Sequence, residues 1–199
     1  MNVFLETIRN RRTIRRYTSE PVPREKIDAI LNTAVWAASA HNRQPWRFCV
    51  IQTDAVKEQL ASAMGTRLQR DLQADGVAEA IIQADVTRSY ARITGAQVLI
   101  LVCVSLVDMD IYPDPRRSHN EYIMAVQSVA MAGQNLLLAS HAEGLGACWM
   151  CAPLFVPDVL KTTLDLPEDW QPQGLVTLGY PAEVKEKTRH PVERSILWR

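Results

Sequence analysis

The 199-residue sequence carries no excess charge of either sign and contains only four cysteines. Lys and Arg together number 22, as do Asp and Glu, whereas a dedicated nucleic-acid-binding domain usually has a basic excess. Four cysteines are too few for a disulfide scaffold in a chain of this length. We therefore expect a globular protein that keeps its thiols reduced and does not bind nucleic acid.

Long hydrophobic runs are also missing. Residues 98–107 form the longest apolar stretch, about half of the length that a membrane-spanning helix needs. The first ten residues, Met-Asn-Val-Phe-Leu-Glu-Thr-Ile-Arg-Asn, lack the apolar segment of a signal peptide. We expect no membrane association and a cytoplasmic location.

The familiar catalytic motifs are absent as well. The sequence has no P-loop, G-x-G-x-x-G or H-E-x-x-H motif and no Ser-His-Asp order, and its Asp and Glu residues are scattered. Cys148-x-x-Cys151 falls in a predicted strand, so we interpret these cysteines as small apolar residues rather than a redox or metal site. If the protein is an enzyme, a cofactor carries the reaction, and no catalytic side chain is assigned.

Hydrophobic periodicity predicts strands and helices that together define an α+β fold, in a single domain over residues 1–199. The polar segment 66–92 is predicted to hold one or two helices plus a loop, and it is the candidate for a mobile lid. The predicted strands cover residues 46–51, 98–107, 147–151 and 174–179. The predicted helices cover residues 2–12, a segment starting at Pro23, a segment capped by Asp54, and residues 118–142 and 156–164.

The predicted helix over residues 118–142 is apolar on nearly all sides. A Ser118-x-x-Glu121 capping box is expected to open it, and Gly144 is its natural C-cap. A helix without a clear polar face indicates burial, either in the core or at a subunit interface. The apolar end of the tail, residues 196–198, also indicates a partner surface.

The arginine cluster near the N-terminus, Arg9 to Arg16, is the first candidate for chemistry. Such a cluster is a solvated face, a weak nucleic-acid patch or, with the hydroxyl of Thr13, a phosphate site, since guanidinium groups bind phosphate in bidentate fashion. Lys185, Lys187 and Arg189 in the tail could complete that site if they lie near Arg11.

Two further segments are rich in groups that bind ligands. Ser39-Ala-His-Asn-Arg-Gln-Pro-Trp46 lies between a predicted helix and a predicted strand and concentrates hydrogen-bonding side chains. Gly144-Leu-Gly-Ala-Cys-Trp149 places glycines where the backbone can lie close to a flat ligand.

Taken in order, these segments resemble the FMN-dependent nitroreductase superfamily. The resemblance is carried by Arg11-Arg-Thr-Ile-Arg15, Asn42-Arg-Gln-Pro-Trp46, Gly144–Trp149 and Leu178-Gly-Tyr-Pro181 with its basic tail, and it covers nearly the whole chain. It implies an α+β fold with a central mixed or antiparallel sheet flanked by helices. It also implies an intertwined homodimer that binds one FMN per active site at the subunit interface.

The resemblance assigns roles by position. Arg11 and Arg189, with Lys187, would hold the FMN phosphate, while Arg12, Thr13 and Arg15 would contact the phosphate, ribityl chain or pyrimidine edge. The remaining implied contacts are Ser39 and Asn42 from the partner subunit, backbone amides near Cys151 and Ala152 at the flavin N5, and Arg67 as a second cation near the pyrimidine edge.

A closer similarity is to the C-terminal reductase domain of the bifunctional γ-glutamyl ligase of deazaflavin (factor-420) biosynthesis, through Tyr112-Pro-Asp114, Gly144–Trp149 and Leu164–Pro172. That domain uses reduced FMN to saturate a phosphoenolpyruvate-derived double bond, and Arg116 and Arg117 would bind the anionic precursor. Asn42, Gln44 and the tail are more similar to general nitroreductases. The alternatives are therefore a broad NAD(P)H-dependent nitro or quinone reductase and a flavin-binding module without turnover.

Overall fold

The computed structural model describes residues 2–199 and is built on a four-stranded antiparallel sheet in the order β1-β2-β4-β3. β1 and β3 are the edge strands, which places the segments that precede β1 and follow β3 at opposite sides of the sheet. The strands are β1 (Trp46–Ile51), β2 (Val98–Val104), β3 (Gly146–Met150) and β4 (Gln171–Gly179).

Helices cover both faces of the sheet, which explains the continuous apolar sequence of β2. Val98, Ile100, Val102 and Val104 of β2 pack in one cluster, while Leu99, Leu101 and Cys103 pack in the other. The first face is covered by α2 (Arg24–Ala34) and α5 (Pro115–Ala142), and α1 (Val3–Asn10) contacts α5. The second face is covered by α3 (Asp54–Ala74), α4 (Glu79–Thr94) and α6 (Pro157–Leu164).

Several predicted helix ends are wrong by a few residues. The structure starts α5 at Pro115, where the Asp114 side chain accepts the Arg117 N–H at 2.9 Å, so the expected capping box at Ser118 and Glu121 does not open the helix. An Asp N-cap followed by proline is a complete start signal three residues earlier. Thr53 rather than Asp54 is the N-cap of α3, and α1 ends at Asn10 rather than at residue 12.

The segment 66–92 consists of the second half of α3, a short turn and most of α4. Gly76 takes the positive φ of +72° that this turn requires. Ile82 within the segment is buried where α3 and α4 pack on each other, and the flanking Met64 and Ile93 are buried in the core beside the sheet. The segment is therefore part of the packed helical layer, and its contacts give no support to the predicted lid.

α5 is long and apolar enough to cross a membrane by length and composition alone, a test that the core helix of a soluble protein also passes. Here α5 packs on α2 and on the sheet, with Ala125, Val129 and Leu136 buried. Its outward side is not covered within residues 2–199: Ile123 and Met131 are exposed. Phe4 of α1 and Trp36 after α2, which is 86% exposed, line one shallow cavity with Leu138 of α5.

Trp149 of β3 fixes the close packing between α5 and the sheet. Its indole lies against Gly133 of α5 and Gly174 of β4, and a methyl group at either glycine would overlap the ring. Both glycines are therefore required by the space that one aromatic side chain fills.

Candidate functional site

The segment from Arg11 to Thr18 runs along the β3 edge of the sheet. Ile14 donates its N–H to the Ala147 carbonyl at 3.0 Å, and Thr18 donates to the Tyr180 carbonyl at 2.9 Å. Gly146 has no side chain where Ile14 crosses it, and a Cβ there would lie 2.8 Å from Ile14. The arginines are thus held in extended backbone on the sheet edge rather than on the face of a helix.

Cations from this segment and from the C-terminal tail meet in one cleft of about 610 Å3, which we call the anion cleft. The structure therefore brings together six of the predicted cofactor-binding residues, and Lys185 joins them. Glu186 also lines the cleft, but no ion pair joins it to these cations within residues 2–199. The six are Arg11, Arg12, Thr13, Arg15, Lys187 and Arg189.

The charges in the anion cleft are crowded and incompletely partnered. Burial lowers the pKa of Arg11, and the positive charges of Arg189 and Arg12 lower it further. Arg12 donates from one guanidinium nitrogen to the carbonyls of Arg9 at 2.5 Å and Arg11 at 2.9 Å, but its buried Nε has no hydrogen-bond partner. Buried polar groups are normally paired, so this donor and the surrounding charge favour a bound anion.

His141 near the end of α5 lies beside the same arginines, and the sequence did not single it out. It shares a cavity of about 260 Å3 with Arg12 and Gly144. Burial lowers the pKa of His141, and the charges of Arg11 and Arg12 lower it further, which favours the neutral imidazole. Its place depends on contacts between distant segments, which the local sequence does not reveal.

Cys151 and Ala152 directly follow β3, the strand that carries the arginine segment. Ala152–Phe155 form a short 3-10 turn, and the Leu154 N–H donates to the Cys151 carbonyl at 3.1 Å. Cys151 is exposed rather than buried, which corrects its interpretation as a small core residue, whereas Cys148 is buried. Within residues 2–199, no three His, Cys, Asp or Glu side chains are grouped as a metal site.

Ser39 and Asn42 lie in a strained loop before β1, at the other edge of the sheet. His41, Asn42 and Gln44 have positive φ angles of 50°, 54° and 52°. The loop is held by the Ser39 hydroxyl, which accepts the Gln44 N–H at 3.1 Å, and by Ser128 of α5, whose hydroxyl accepts the Ala40 N–H at 3.1 Å. Such strain persists where the surroundings enforce it and is typical of ligand sites. A single chain does not bring this loop to the anion cleft.

The other predicted cations have partners of their own. Arg67 on α3 pairs with Asp71 at 3.0 Å and with Asp158 of α6 at 3.0 Å, and it does not line the anion cleft. Arg117 pairs with Asp114 and lies 5.1 Å from the centre of the Tyr112 ring.

Arg116, the other predicted substrate-binding cation, is exposed at the start of α5, and no ion pair or side-chain hydrogen bond is formed by it within residues 2–199. The loop before α5 is tied to the segment around β1 by the Arg43–Asp110 and Arg47–Asp108 ion pairs. Arg116 and Arg117 thus lie on the side of the molecule that carries Asn42.

An antiparallel sheet between two helical layers, with a cationic cleft along one edge strand, defines an α+β protein equipped to bind an anionic ligand. The sequence matches the profile of the Nitroreductase family over residues 8–180, so the chain belongs to the nitroreductase family. It is 31% identical over 181 residues to a candidate NADH dehydrogenase/NAD(P)H nitroreductase of Methanothermobacter thermautotrophicus, covering 90% of this chain and 78% of that one. It is 30% identical over 205 residues to an NADH dehydrogenase of Thermus thermophilus, covering 95% and 92%.

A solved structure of a candidate nitroreductase from Desulfovibrio desulfuricans, in complex with FMN, is similar over 100% of this chain and 98% of that chain, with a TM-score of 0.77 and 28% identity. These relatives confirm the predicted nitroreductase-like fold, the prediction of an oxidoreductase and FMN as the cofactor of the family. None of the three is a deazaflavin ligase domain, so they lend no support to the closer similarity predicted from Tyr112-Pro-Asp114.

Proposed function

We propose that this chain is a homodimeric, FMN-dependent NAD(P)H oxidoreductase of broad specificity that reduces nitroaromatic or quinone acceptors. The observation that carries the proposal is the anion cleft, which cations from two distant segments line and in which Arg12 has a buried Nε without a partner. We propose one FMN-binding domain over residues 1–199, located in the cytoplasm, where its four free cysteines would stay reduced.

The residues of the anion cleft fit the phosphate of FMN. A phosphate dianion offers several acceptor oxygens to the guanidinium groups of Arg11, Arg12 and Arg189, and the orphaned Arg12 Nε is one such donor. Lys187 adds a further charge, and the Thr13 hydroxyl is a neutral donor at the same place. A dianion would relieve the repulsion that lowers the pKa of Arg11.

When bound, FMN supplies hydride transfer between a nicotinamide donor and an electron-poor acceptor. The chain's own part is to bind, orient and polarise. Arg15, which lines the cleft beside Thr13, would stabilise negative charge at the pyrimidine edge, and the amides at Cys151 and Ala152 would donate hydrogen bonds to the flavin ring. Because Asp71 and Asp158 already match its charge, Arg67 is the weaker candidate for that cation.

The homodimer is proposed from two features of one chain. The anion cleft lies at the β3 edge, whereas the strained Ser39–Asn42 loop lies before the β1 edge, so a site that contains both needs a second copy. Phe4 and Trp36 are exposed and line one cavity with Leu138 of α5, and Met131 of the same helix is also exposed, which fits a subunit interface. In such a dimer the partner subunit would contribute Ser39 and Asn42 to the flavin site.

Reduction of a dehydro-deazaflavin precursor is kept as a second candidate because of Arg116. This cation is exposed on the side that carries Asn42, where it could meet an anionic substrate bound at the partner's site. We expect the R116A variant to raise KM for the dehydro precursor and to leave KM for a nitrofuran unchanged. Arg117 is left intact in this test because its side chain also pairs with Asp114, the N-cap of α5.

The test of the main proposal is an absorbance spectrum followed by turnover assays. We expect a yellow protein that releases about one FMN per chain, is bleached by NADH or NADPH without oxygen, and is reoxidised by nitrofurans or quinones. A colourless protein that also fails to take up added FMN would contradict the proposal. Bound FMN that no nicotinamide reduces would instead indicate a flavin-binding module, and faster reduction of the dehydro-deazaflavin than of simple acceptors would favour the second candidate.

A further inference from the structure

A second cationic cleft, of about 330 Å3, lies beside the anion cleft and uses arginines that the flavin site leaves unassigned. We call it the α4 cleft. Arg88 and Arg92 are four residues apart on α4 and therefore share one face of that helix. The charged side chains that line the α4 cleft are Arg15, Arg16, Arg88, Arg92, Lys185 and Glu183.

Three separate segments converge on the α4 cleft, and hydrogen bonds fix two of them. The Ala182 N–H donates to the Arg16 carbonyl at 3.0 Å, and the Arg15 N–H donates to the Glu183 carboxylate at 2.8 Å. Burial raises the pKa of the Cys148 thiol of β3, while the positive charges of Arg15, Arg92 and Lys185 act to lower it.

The carboxylates present do not neutralise this charge. Glu183 is already engaged, because it accepts the Arg15 N–H and pairs with Lys185 at 3.2 Å. Arg88 pairs with Asp85 one turn earlier on its own helix. Within residues 2–199, the side chains of Arg16 and Arg92 form no ion pair or hydrogen bond. Like charges gathered in this way are destabilising unless an anion joins them.

From this arrangement we infer that the α4 cleft binds a phosphate dianion, at a site separate from that of the flavin phosphate. Guanidinium forks from α4 and from the Arg15–Arg16 segment approach from different directions, which suits a tetrahedral dianion better than a planar carboxylate. Two sources carry this chemistry: the 2′-phosphate of NADPH and free inorganic phosphate.

The position of the cleft favours the nucleotide. Arg15 and Lys185 line both clefts, so a ligand in the α4 cleft lies next to the flavin site. This step rests on the proposed function, in which a nicotinamide dinucleotide must approach that site. NADPH differs from NADH only by a phosphomonoester, so a site for this group would make NADPH the preferred donor.

Calorimetric titration of the purified flavoprotein with adenosine 2′-monophosphate, and with adenosine as the uncharged reference, tests the site without turnover. We expect the wild type to bind the monophosphate but not adenosine, and the R88A/R92A variant to bind it at least about tenfold more weakly. The matched control is R24A/R70A, which removes two helical arginines outside both clefts, one of them likewise paired on its own helix. Binding that is absent in the wild type, or equal in all three proteins, would overturn the proposal.

Kinetics with the two nicotinamide donors distinguish the sources of the phosphate. If the ligand is NADPH, the R88A/R92A variant raises KM for NADPH and leaves KM for NADH unchanged. If weaker binding of inorganic phosphate accompanies an unchanged NADPH-to-NADH ratio, the site stands and its ligand is free phosphate. If the wild type binds the monophosphate but reduces no acceptor, the proposed function is refuted and the phosphate site stands. If the wild type turns over but does not bind the monophosphate, the phosphate site is refuted and the proposed function stands.

Discussion

At the scale of single residues, Arg11 has opposite effects on the protein with and without its cofactor. Without an anion, burial lowers the pKa of Arg11, and the positive charges of Arg189 and Arg12 lower it further. With a phosphate in the anion cleft, the same guanidinium becomes a charge-assisted donor. Arg11 therefore destabilises the FMN-free protein and stabilises the complex with FMN.

We predict that Arg11→Ala weakens FMN binding by about 10- to 100-fold, since a hydrogen bond to a charged group contributes about 1.5–3 kcal/mol. The Tm of the FMN-free protein should stay the same or rise, because one repulsive charge is removed. Fluorescence titration with FMN and thermal melts of both forms measure the two effects, with Arg24→Ala as the control. Unaltered FMN affinity in the R11A protein would remove Arg11 from the site.

Tyr17 joins the arginine segment to β4 through its hydroxyl. This oxygen lies 2.7 Å from the Ile14 carbonyl oxygen and 2.7 Å from the Thr177 hydroxyl. We predict that Tyr17→Phe lowers the free energy of unfolding by about 1 kcal/mol, because the Thr177 hydroxyl loses a partner inside the sheet. Denaturant titration at pH 7 measures it, and Tyr90→Phe on the exposed side of α4 is the control.

The same variant predicts a pH dependence. Burial raises the pKa of Tyr17 above its ordinary value in the folded protein. In the unfolded chain the tyrosine ionises near pH 10, as usual, which stabilises the unfolded state as the pH rises further. The wild type should therefore lose stability relative to Y17F above about pH 10. A stability difference that stays constant from pH 8 to 11 would show that the folded protein does not suppress this ionisation.

At the scale of helices and strands, the ends of an element are predicted well where residues close in sequence determine them. Residues 46–51 were predicted as a strand with the correct ends, and the buried strand over 98–107 ends only three residues earlier, at Val104. The start of α5 was missed because two capping signals compete within four residues, and the earlier one, Asp114-Pro115, determines the start. Hydrophobic periodicity does not distinguish which of two neighbouring N-cap residues begins the helix.

The arrangement of the site depends on contacts between distant parts of the chain, so the sequence predicted its members better than its geometry. The order of the motifs predicted Arg11–Arg15 and Lys187–Arg189 as neighbours, and they do line one cleft. No pattern of neighbouring residues predicts that the Ile14 N–H donates to the Ala147 carbonyl, or that Asp158 forms an ion pair with Arg67. Arg16 was predicted only as a member of the N-terminal arginine cluster, and Arg88 and Arg92 were not singled out, because their meeting depends on how α4 lies against the sheet edge.

Asp114 tests the corrected start of α5. Hydrogen bonds from the Arg117 backbone and then its side chain lower the pKa of Asp114 in the folded protein. We predict that Asp114→Ala lowers Tm by roughly 2–4 °C at pH 7, and that Asp114→Asn, which can still accept the Arg117 N–H, costs less.

The difference between wild type and D114A should shrink as the pH falls below about 4, because the carboxyl becomes protonated in the unfolded chain while it is still ionised in the folded protein. This follows because a folded-state pKa that is lowered contributes stability only above the unfolded value. Thermal melts between pH 3 and 7 measure it, and a D114A protein as stable as wild type at pH 7 would return the helix start to Ser118.

At the scale of the whole molecule, the two halves of the proposed flavin site lie at opposite edges of one sheet. The anion cleft belongs to the β3 edge, and Asn42 precedes the β1 edge. Only a second copy can unite them in a symmetric dimer, and each dimer then contains two equivalent sites. If one chain carries a substitution in the anion cleft and its partner carries one in the Asn42 loop, both substitutions fall in the same site. The second site of that dimer then has an intact cleft and an intact loop.

We predict that R11A and N42G are each poorly active alone but recover roughly a quarter of wild-type activity when coexpressed in equal amounts, because half of the dimers are mixed and each has one intact site. Glycine is chosen at position 42 because it accepts the positive φ of 54° without strain. Mixed dimers isolated with two different affinity tags provide the measurement. Mixed dimers no more active than the parents would show that one chain supplies both Arg11 and Asn42 to each site, which would contradict a site shared between subunits.

The fluorescence of the Trp149 indole is sensitive to how α5 packs on the sheet. It fills the space between Gly133 and Gly174, where no bulkier neighbour fits, so loosening of α5 from the sheet would expose the ring and shift its fluorescence emission to longer wavelength. It also lies two residues before Cys151, at the end of β3 that leads into the proposed flavin site. The difference in emission between the wild type and a Trp149→Phe protein, which cancels the signal of the other four tryptophans, would thus follow both the packing of α5 on the sheet and the binding of a yellow cofactor.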